Sequence, residues 1–438
     1  MGAGKTTAGA EVAQRLGRRF LDVDDEVERA EGPIWELFQQ RGESAFRELE
    51  ARFVREALGR REPAVIAVGG GAVETRGLLR EPDALVVHLE VDADTAWERV
   101  QGSRRPLARD EAEFRARYDR RSPLYREVAD AVARDADGIV LAAAGISLGP
   151  WDLPEDAAIV IDANVAELAG LQGLSVPPGE QAKSIDVVRR LWDELRLDRR
   201  GTLVGVGGGC TTDVAGFVAA TYMRGIDWIA VPTTLVGQVD AGIGGKTGID
   251  LPGGKNLVGA FHWPVQTQID PSVLATLPER ERRNGLAEVV KTGLLAGEPL
   301  WELPEPDQVR RCAAFKAAVC LRDPYERGER AILNLGHTFA HALETAADYA
   351  LPHGEAVALG LVAALRLSGL DTAIVEDQLR PQPVRVDPDR AWQALGRDKK
   401  SAGGRPRLVL LDAPGKPRYG VELPEAEVRA ALDELIAG

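Results

Sequence analysis

The chain has 438 residues, more than one ordinary core organises, so two or three domains are expected. A hydrophobic fraction of 45% beside 28% charged residues excludes a disordered chain, and no apolar run approaches the ~20 residues that span a bilayer. The net charge of −14 argues against nucleic acid or an anionic membrane as a partner, so an anionic substrate has to be met by local Lys and Arg.

The opening stretch MGAGKTTAGAE lacks the basic start and apolar run of a secretory signal. Three cysteines, Cys210, Cys312 and Cys320, stand at no metal-ligand spacing, so a reducing, cytoplasmic location is expected. Gly4, Lys5 and Thr6 match the back half of the phosphate loop G-x-x-x-x-G-K-[ST]. In that loop, backbone N–H groups at a helix N-terminus hold phosphate oxygens, the Lys reaches them, and the Thr binds magnesium. The first glycine of the motif and the strand before it are expected to be missing.

FLDVDDEVE (from Phe20), GESAFRELE (from Gly42), GGGAV (from Gly69), RRPL (from Arg104) and RRSPLYREVAD follow in order. Each alone reads as solvated surface. Together they resemble shikimate kinase over about residues 1–140. The resemblance implies ATP and Mg²⁺ at Gly4, Lys5 and Thr6, shikimate held by Asp24, Arg47, Gly70 and Arg121, and Arg105 on a lid over the phosphates. In that family the first strand is central to the sheet, and the helix after the last strand is also expected to be absent here. A lost central strand exposes apolar surface and unpairs backbone groups, so shikimate phosphorylation by the chain as written is expected to fail.

Short apolar strands alternate with amphipathic helices through much of the chain, an α/β pattern. AAAGISLGPWDLPEDA, residues 142–157, is rich in Gly and Pro and reads as the junction between domains. The expected division is a kinase-like parallel sheet over 1–141, a Rossmann-like α/β domain over 142–277, and a mostly helical domain over 278–438.

IVIDANV ends a strand on Asp162, and VGVGGGCTTD runs from a strand through Gly207, Gly208 and Gly209 into a helix. Bare backbone at a helix N-terminus suits a diphosphate, and a carboxylate at a neighbouring strand end suits ribose hydroxyls. Lys246 and Lys255 fall in Gly-rich stretches read as turns, near Arg224, Asp240 and Asn256. This gathers cationic donors in an acidic protein, as a phosphorylated substrate requires.

Three of the five histidines are His337, His341 and His353. His337 and His341, four apart, share one helix face, and His353 opens the next helix. Glu288 and Lys291 share a face of an earlier helix. Glu288, His337 and His353 make a Glu-plus-two-His set of the kind that leaves a zinc position open for substrate. His341 then remains as an acid/base group. The bland alternative is a set of hydrogen-bonded histidines; His88, in a strand, and His262 are read as structural.

GEQAKS, GGG-x-x-x-D, RGI, PTTL, GGKTGID, GKNLVGAF, GLAEVVKTG, LNLGHTFAHALE and HGEAVALG occur in that order. They resemble 3-dehydroquinate synthase over roughly residues 145–412. The resemblance implies NAD at Asp162, Glu180, Lys183, Gly208, Gly209, Asp213, Thr233, Thr234 and Lys255, and zinc (or cobalt) on Glu288, His337 and His353. It puts substrate on Arg224, Asp240, Lys246, Asn256, Lys316, Arg330, Asn334 and one lysine of DKK, Lys399 or Lys400. Glu326 and His341 become proton-transfer groups, with Lys246, Lys291 and Arg330 also in the catalytic set. The implied reaction takes 3-deoxy-D-arabino-heptulosonate 7-phosphate to 3-dehydroquinate and phosphate through transient oxidation, elimination and aldol closure. A homodimer through this part is expected.

The sequence departs from the family at Cys210, where an aliphatic residue is usual, and in DAGIGGK; both changes leave the donor groups intact. The strands before IVIDANV and the segment between Glu288 and His337 look shortened and are read as trimmed surface. A metal-dependent alcohol dehydrogenase would also pair NAD with a metal but needs no such cluster of basic groups. Another sugar-phosphate cyclase is a further alternative, and a non-enzymatic nucleotide-binding module would leave the Glu/His/His set unexplained.

Overall fold

The structure is a computed structural model that describes residues 2–102, 110–252, 254–396 and 406–437. It divides into two compact units, Met1–Ala144 and Gly145–Gly438. No helix among the described residues is long and apolar enough to cross a membrane.

In the first unit the helix Lys5–Arg15 starts from Gly4, whose φ of 81° suits glycine, and buries Val12 and Ala13. Strand Arg19–Asp22 pairs in parallel with Ala64–Ala67, and Val87–Leu89 with Ala131–Ala133. Among the described residues these are separate two-stranded sheets. The helix expected to be absent after the last strand is present as Ala136–Ala143, capped by Asp135, whose side chain accepts from the Gly138 amide. Gly138 and the β-branched pair Ile139 and Val140 weaken its helix signal, and the Asp cap marks its start. Arg15 Nη1 ties the first helix to it through Asp137 Oδ1 at 2.5 Å.

The second unit is built on a six-stranded, wholly parallel sheet. Its spatial order is Ile146–Leu148, Gln266–Ile269, Asp227–Pro232, Thr202–Gly207, Ala158–Asp162, Leu174–Val176. The inner strands are near-continuous apolar runs because both faces are covered; Leu203, Val204 and Val206 are fully buried. From Ala158–Asp162 the chain goes to one side for Leu174–Val176, then crosses to the other side for Thr202–Gly207. The crevice at that switch, at the carboxyl ends of the strands, is where α/β sheets bind ligands.

The stretch 142–157, read as a junction, holds the boundary between the two units, after Ala144, and then the edge strand Ile146–Leu148, which pairs with Thr267–Ile269. Three residues are too few to show a period among so many glycines and prolines. Lys246 and Lys255 lie on strands, not in turns, within the antiparallel hairpin Lys246–Leu251 and Gly254–Phe261. The flanking Gly244, Gly245 and Gly254 take the positive φ values, at 93°, 64° and 151°.

From Glu279 onward helices dominate, but the region also carries an antiparallel hairpin, Leu408–Ala413 with Lys416–Val421. The helices His337–Ala346 and His353–Leu367 bury much of the local core, including Phe339, Leu343, Leu361 and Leu365. They approach through glycine: a Cβ on Gly360 would lie 2.0 Å from the Gly336 carbonyl oxygen, and Gly336 itself has a φ of 77°. Gly360→Ala therefore has to spread these helices. It is expected to lower stability by about 1–3 kcal/mol, read as a lower urea midpoint at unchanged slope.

Candidate active site

The glycine turn and Asp162 meet at the switch point. Helix Gly209–Thr221 starts directly after strand Thr202–Gly207, with Gly208 as its cap. A Cβ on Gly209 would lie 2.7 Å from Ala241 Cβ, and one on Gly208 3.1 Å from Thr234 Cγ2. The turn is thus bare backbone at a helix N-terminus, shaped for an anion. Asp162, at the end of its strand, caps the next helix through the Asn164 amide and lies 3.5 Å from Thr211 Oγ1. Thr233 donates its amide to the Gly207 carbonyl (2.8 Å), and Thr234 Oγ1 accepts from the Gly237 amide.

Beside this turn lies a cluster of paired charges. Buried Lys183 donates to Asp213 Oδ2 at 2.7 Å and also to the side-chain oxygen of Asn256. Burial pulls the Lys183 ammonium down, but Asp213, Cys210 and Glu180 raise it above its ordinary value. The Cys210 thiol is pushed up to about 12, by burial first and Glu180 next, so it is no reactive thiolate. Lys255 Nζ is 2.9 Å from Glu180 Oε1 and 3.6 Å from Glu344 Oε1.

The π-helical turn Gly237–Ala241 carries Asp240 next to the residue that faces Gly209. Asp240 Oδ1 accepts from Lys316 at 2.7 Å and lies 3.6 Å from Lys291 Nζ. Lys291, one turn after Glu288 on the helix Glu279–Ala296, is fully buried and ion-paired with the Glu288 carboxylate. Glu288 has no solvent exposure. Burial raises its pKa, yet Lys291, His337 and His353 together hold it well below the usual carboxylate range.

Glu288, His337 and His353 each offer a ligand atom, all within 4.8 Å of one another. Each histidine opens its helix, a position the chain reaches in one defined direction. His337 Nδ1 is 3.2 Å from the Leu335 carbonyl, leaving Nε2 toward Glu288 Oε1 at 3.5 Å. His353 Nε2 is 3.2 Å from the same oxygen, and its Nδ1 faces Glu344 at 3.5 Å. Two imidazoles held by their outer nitrogens, plus a carboxylate, form a donor set that fits a divalent cation of the zinc type. The His341 ring lies edge-on to His337 at a centroid distance of 5.5 Å, on the exposed side.

Lys246 Nζ is 2.6 Å from Glu326 Oε2, and Asn334 donates to Glu326 Oε1 at 3.0 Å. The loop carrying Glu326 (φ 53°) is wound around Asp323, whose carboxylate accepts from the amides of Arg327, Gly328 and Arg330 at 2.8, 2.7 and 3.1 Å. Arg330 is buried, donates to the carbonyls of Pro324 and Gly244, and keeps a buried Nε without a hydrogen-bond partner.

Residues predicted for shikimate also converge, in the first unit. Arg47 donates to Glu50 at 2.6 Å, Arg121 to Glu74 at 2.7 Å, and Tyr125 to the Gly70 carbonyl at 2.7 Å. A Cβ on Gly69 would meet both Glu50 and Asp24, so glycine lets the strand end pass between two acids. Buried Nε atoms of Arg47 and Arg121 lack hydrogen-bond partners. Thr6 Oγ1 donates to Asp22 Oδ2 at 2.7 Å, and Lys5 opens the same helix after Gly4.

Arg224 stands apart: it is exposed in a left-handed turn (φ 68°) and joins the cluster by no hydrogen bond or ion pair among the described residues. Arg105 and Lys399 lie outside the described residues. His88, stacked on Tyr125, and His262, bonded to the Ile226 carbonyl, are placed as structural groups. Sequence reasoning passed over Glu344, Asp323 and Glu50. Glu344 had a signal: it follows His337 by two helical turns and so shares its face.

Comparison with known proteins comes to the same regions. The family model "Shikimate kinase" matches residues 1–143, "3-dehydroquinate synthase N-terminal" matches 173–284, and "3-dehydroquinate synthase C-terminal" matches 285–401. The chain is 41% identical over 331 residues to 3-dehydroquinate synthase of Bordetella pertussis, covering 64% of this chain and 91% of that one. It is 45% identical over 293 residues to the enzyme of Gloeobacter violaceus, covering 60% and 81%. Among solved structures it is similar to 2-epi-5-epi-valiolone synthase from Streptomyces hygroscopicus subsp. jinggangensis 5008 with NAD⁺ and Zn²⁺ bound (28% identity, TM-score 0.59, 66% of this chain and 96% of that one). It is likewise similar to 2-deoxy-scyllo-inosose synthase complexed with carbaglucose-6-phosphate, NAD⁺ and Co²⁺ (27%, 0.58, 66% and 96%).

The Asp323 loop gives a pH signature. Burial raises the Asp323 carboxyl, but the amides of Arg327, Arg330 and Gly328 hold it below its ordinary value. A depressed carboxylate contributes stability above its unfolded pKa and loses it as pH falls through the folded one. Asp323→Ala is therefore expected to lower the thermal midpoint at pH 7, and by less at pH 3; an equal loss at both would show that the charge is irrelevant.

Proposed function

The chain belongs to the 3-dehydroquinate synthase family, with a shikimate kinase module at residues 1–143, and from that premise we propose that its second unit converts 3-deoxy-D-arabino-heptulosonate 7-phosphate to 3-dehydroquinate and phosphate. This is carbon–oxygen bond cleavage with loss of phosphate, a lyase reaction with no net redox change. One observation carries the reading. The Glu288/His337/His353 set is linked to the bare glycine turn through Lys291, Asp240 and the contact position of Ala241 beside Gly209. A cation and a dinucleotide would thus sit on neighbouring walls of one crevice.

Glu288, His337 and His353 would hold a zinc or cobalt ion, and Gly208, Gly209, Asp162 and Lys183 an NAD⁺. Bound there, the pair supplies reversible hydride transfer at a carbinol whose oxygen is polarised. The chain's own groups do the rest. Lys246, Asn256 and Arg330 supply cationic and amide donors for phosphate and carboxylate, and such positioning can lower the barrier by several kcal/mol. Glu326, gripped by Lys246 and Asn334, and the exposed imidazole of His341 are placed to move protons at the substrate. Lys291 keeps Glu288 ionised inside the fold.

The test is phosphate release from the heptulosonate phosphate by the full chain with NAD⁺ and zinc. Release without lasting absorbance at the NADH band is expected, and chelation should abolish it. Steady NADH build-up would favour a metal-dependent alcohol dehydrogenase instead. For the first unit, we propose that Asp24, Arg47 and Arg121 bind shikimate. Arg121→Leu is expected to weaken shikimate binding by calorimetry at least tenfold, since a buried charge-assisted contact is lost. ADP formation with ATP and shikimate is the separate measurement of phosphoryl transfer by this module.

A further inference from the structure

We propose that Glu344 is a positioning residue that joins the dinucleotide wall of the site to the metal ligands, by holding His353 with one carboxylate oxygen and Lys255 with the same group. The inference rests on reading Glu288, His337 and His353 as a metal centre.

Glu344 lies in the last turn of the helix that His337 opens, and only 3% of it is exposed. A carboxylate so deeply buried is costly unless paired. Its Oε1 is 3.5 Å from His353 Nδ1 and 3.6 Å from Lys255 Nζ. The opposite nitrogen of the His353 ring, Nε2, faces Glu288 Oε1 at 3.2 Å. A carboxylate on Nδ1 takes the N–H and leaves the Nε2 lone pair for a cation, which fixes both tautomer and ring orientation.

On its other side Glu344 shares Lys255 with Glu180, at 2.9 Å from that lysine. The Lys255 ammonium also lies 4.9 Å from the centroid of the Tyr349 ring. Tyr349 reaches it because Asp348 and Tyr349 take left-handed conformations, with φ 50° and 61°, while the Tyr349 amide donates to the Glu344 carbonyl at 2.8 Å. Two consecutive non-glycine residues in that region cost energy and are kept where surrounding contacts over-determine them. Glu344, Tyr349 and Glu180 form a three-sided socket for one lysine, and one side of that socket is also the outer partner of a metal ligand.

The experiment measures Zn²⁺ affinity by chelator competition, NAD⁺ affinity by tryptophan fluorescence, and the thermal midpoint of the metal-free protein, for the full chain and for Glu344→Gln and Glu344→Asp. Glu344→Gln keeps the shape but not the charge. It is expected to weaken Zn²⁺ binding by about 10–100-fold, the usual cost of losing a carboxylate behind a ligating histidine. NAD⁺ binding should weaken with it, and Glu344→Asp should recover part of both. If Glu344→Gln does not fold, Glu344→Asp alone carries the test, with an intermediate loss expected. Unchanged Zn²⁺ and NAD⁺ affinities in a folded variant, beside a wild type that binds both, would overturn the role of Glu344. A wild type that binds no Zn²⁺ would overturn the metal centre itself, and this inference with it.

Discussion

Glu288 puts a full negative charge where no water reaches it, and the surrounding residues are arranged around that fact. A lone carboxylate in such a place is penalised by several kcal/mol, and removal of its partner leaves the cost uncompensated. The compensation continues beyond the nearest partners. From Glu180 acids alternate with basic groups through Lys255, Glu344, His353, Glu288, Lys291, Asp240 and Lys316. Each carboxylate is flanked by positive or protonatable groups, and no two acids in the series adjoin. In an acidic protein this keeps a local run of cations in place without exposing it as a basic surface.

The parallel sheet and the helices contribute different things to that series. The sheet supplies fixed backbone: after two adjacent central strands the chain leaves to opposite sides, and the glycines there remove side chains from the floor of the crevice. The helices supply side chains at set rotations, with both candidate histidine ligands at first positions, where the helix axis and the preceding turn leave little freedom. The π-helical turn at Gly237–Ala241 joins the two, since its extra residue lets Asp240 meet Lys291 and Lys316 while Ala241 faces Gly209.

Much of this was legible in the residues because it is local. The glycine turn, the His337/His341 face, His353 at a helix start and the Glu288/Lys291 pair all follow from spacing of three or four positions, which helix geometry converts directly into proximity. What spacing cannot give is the meeting of distant segments. Spacing marks Glu344 only as an acid on the His337 face, and it is the fold that brings Lys255, far off in the chain, against it. Asp323 gathers three amides that a linear reading sees only as the loop DPYERGER. What the linear reading missed has the same source. A three-residue edge strand, Ile146–Leu148, exists because a neighbour pairs with it, and Lys246 and Lys255 are strand residues because two glycine-rich stretches pair with one another.

The connection between Ala346 and His353 has a consequence for how the molecule can change. Six residues separate these two helices, and two of them are wound left-handed, with Asp348 tethered to Arg390 at 2.9 Å and Tyr349 seated on a lysine. There is no slack to absorb an extra residue. One inserted position would have to release the Asp348–Arg390 pair or the Tyr349 contact, and so loosen the turn that delivers the His353 imidazole to its partners. The loop therefore works as a ruler. Its length is under the same constraint as the identity of the histidine it delivers, although most of its side chains do no chemistry.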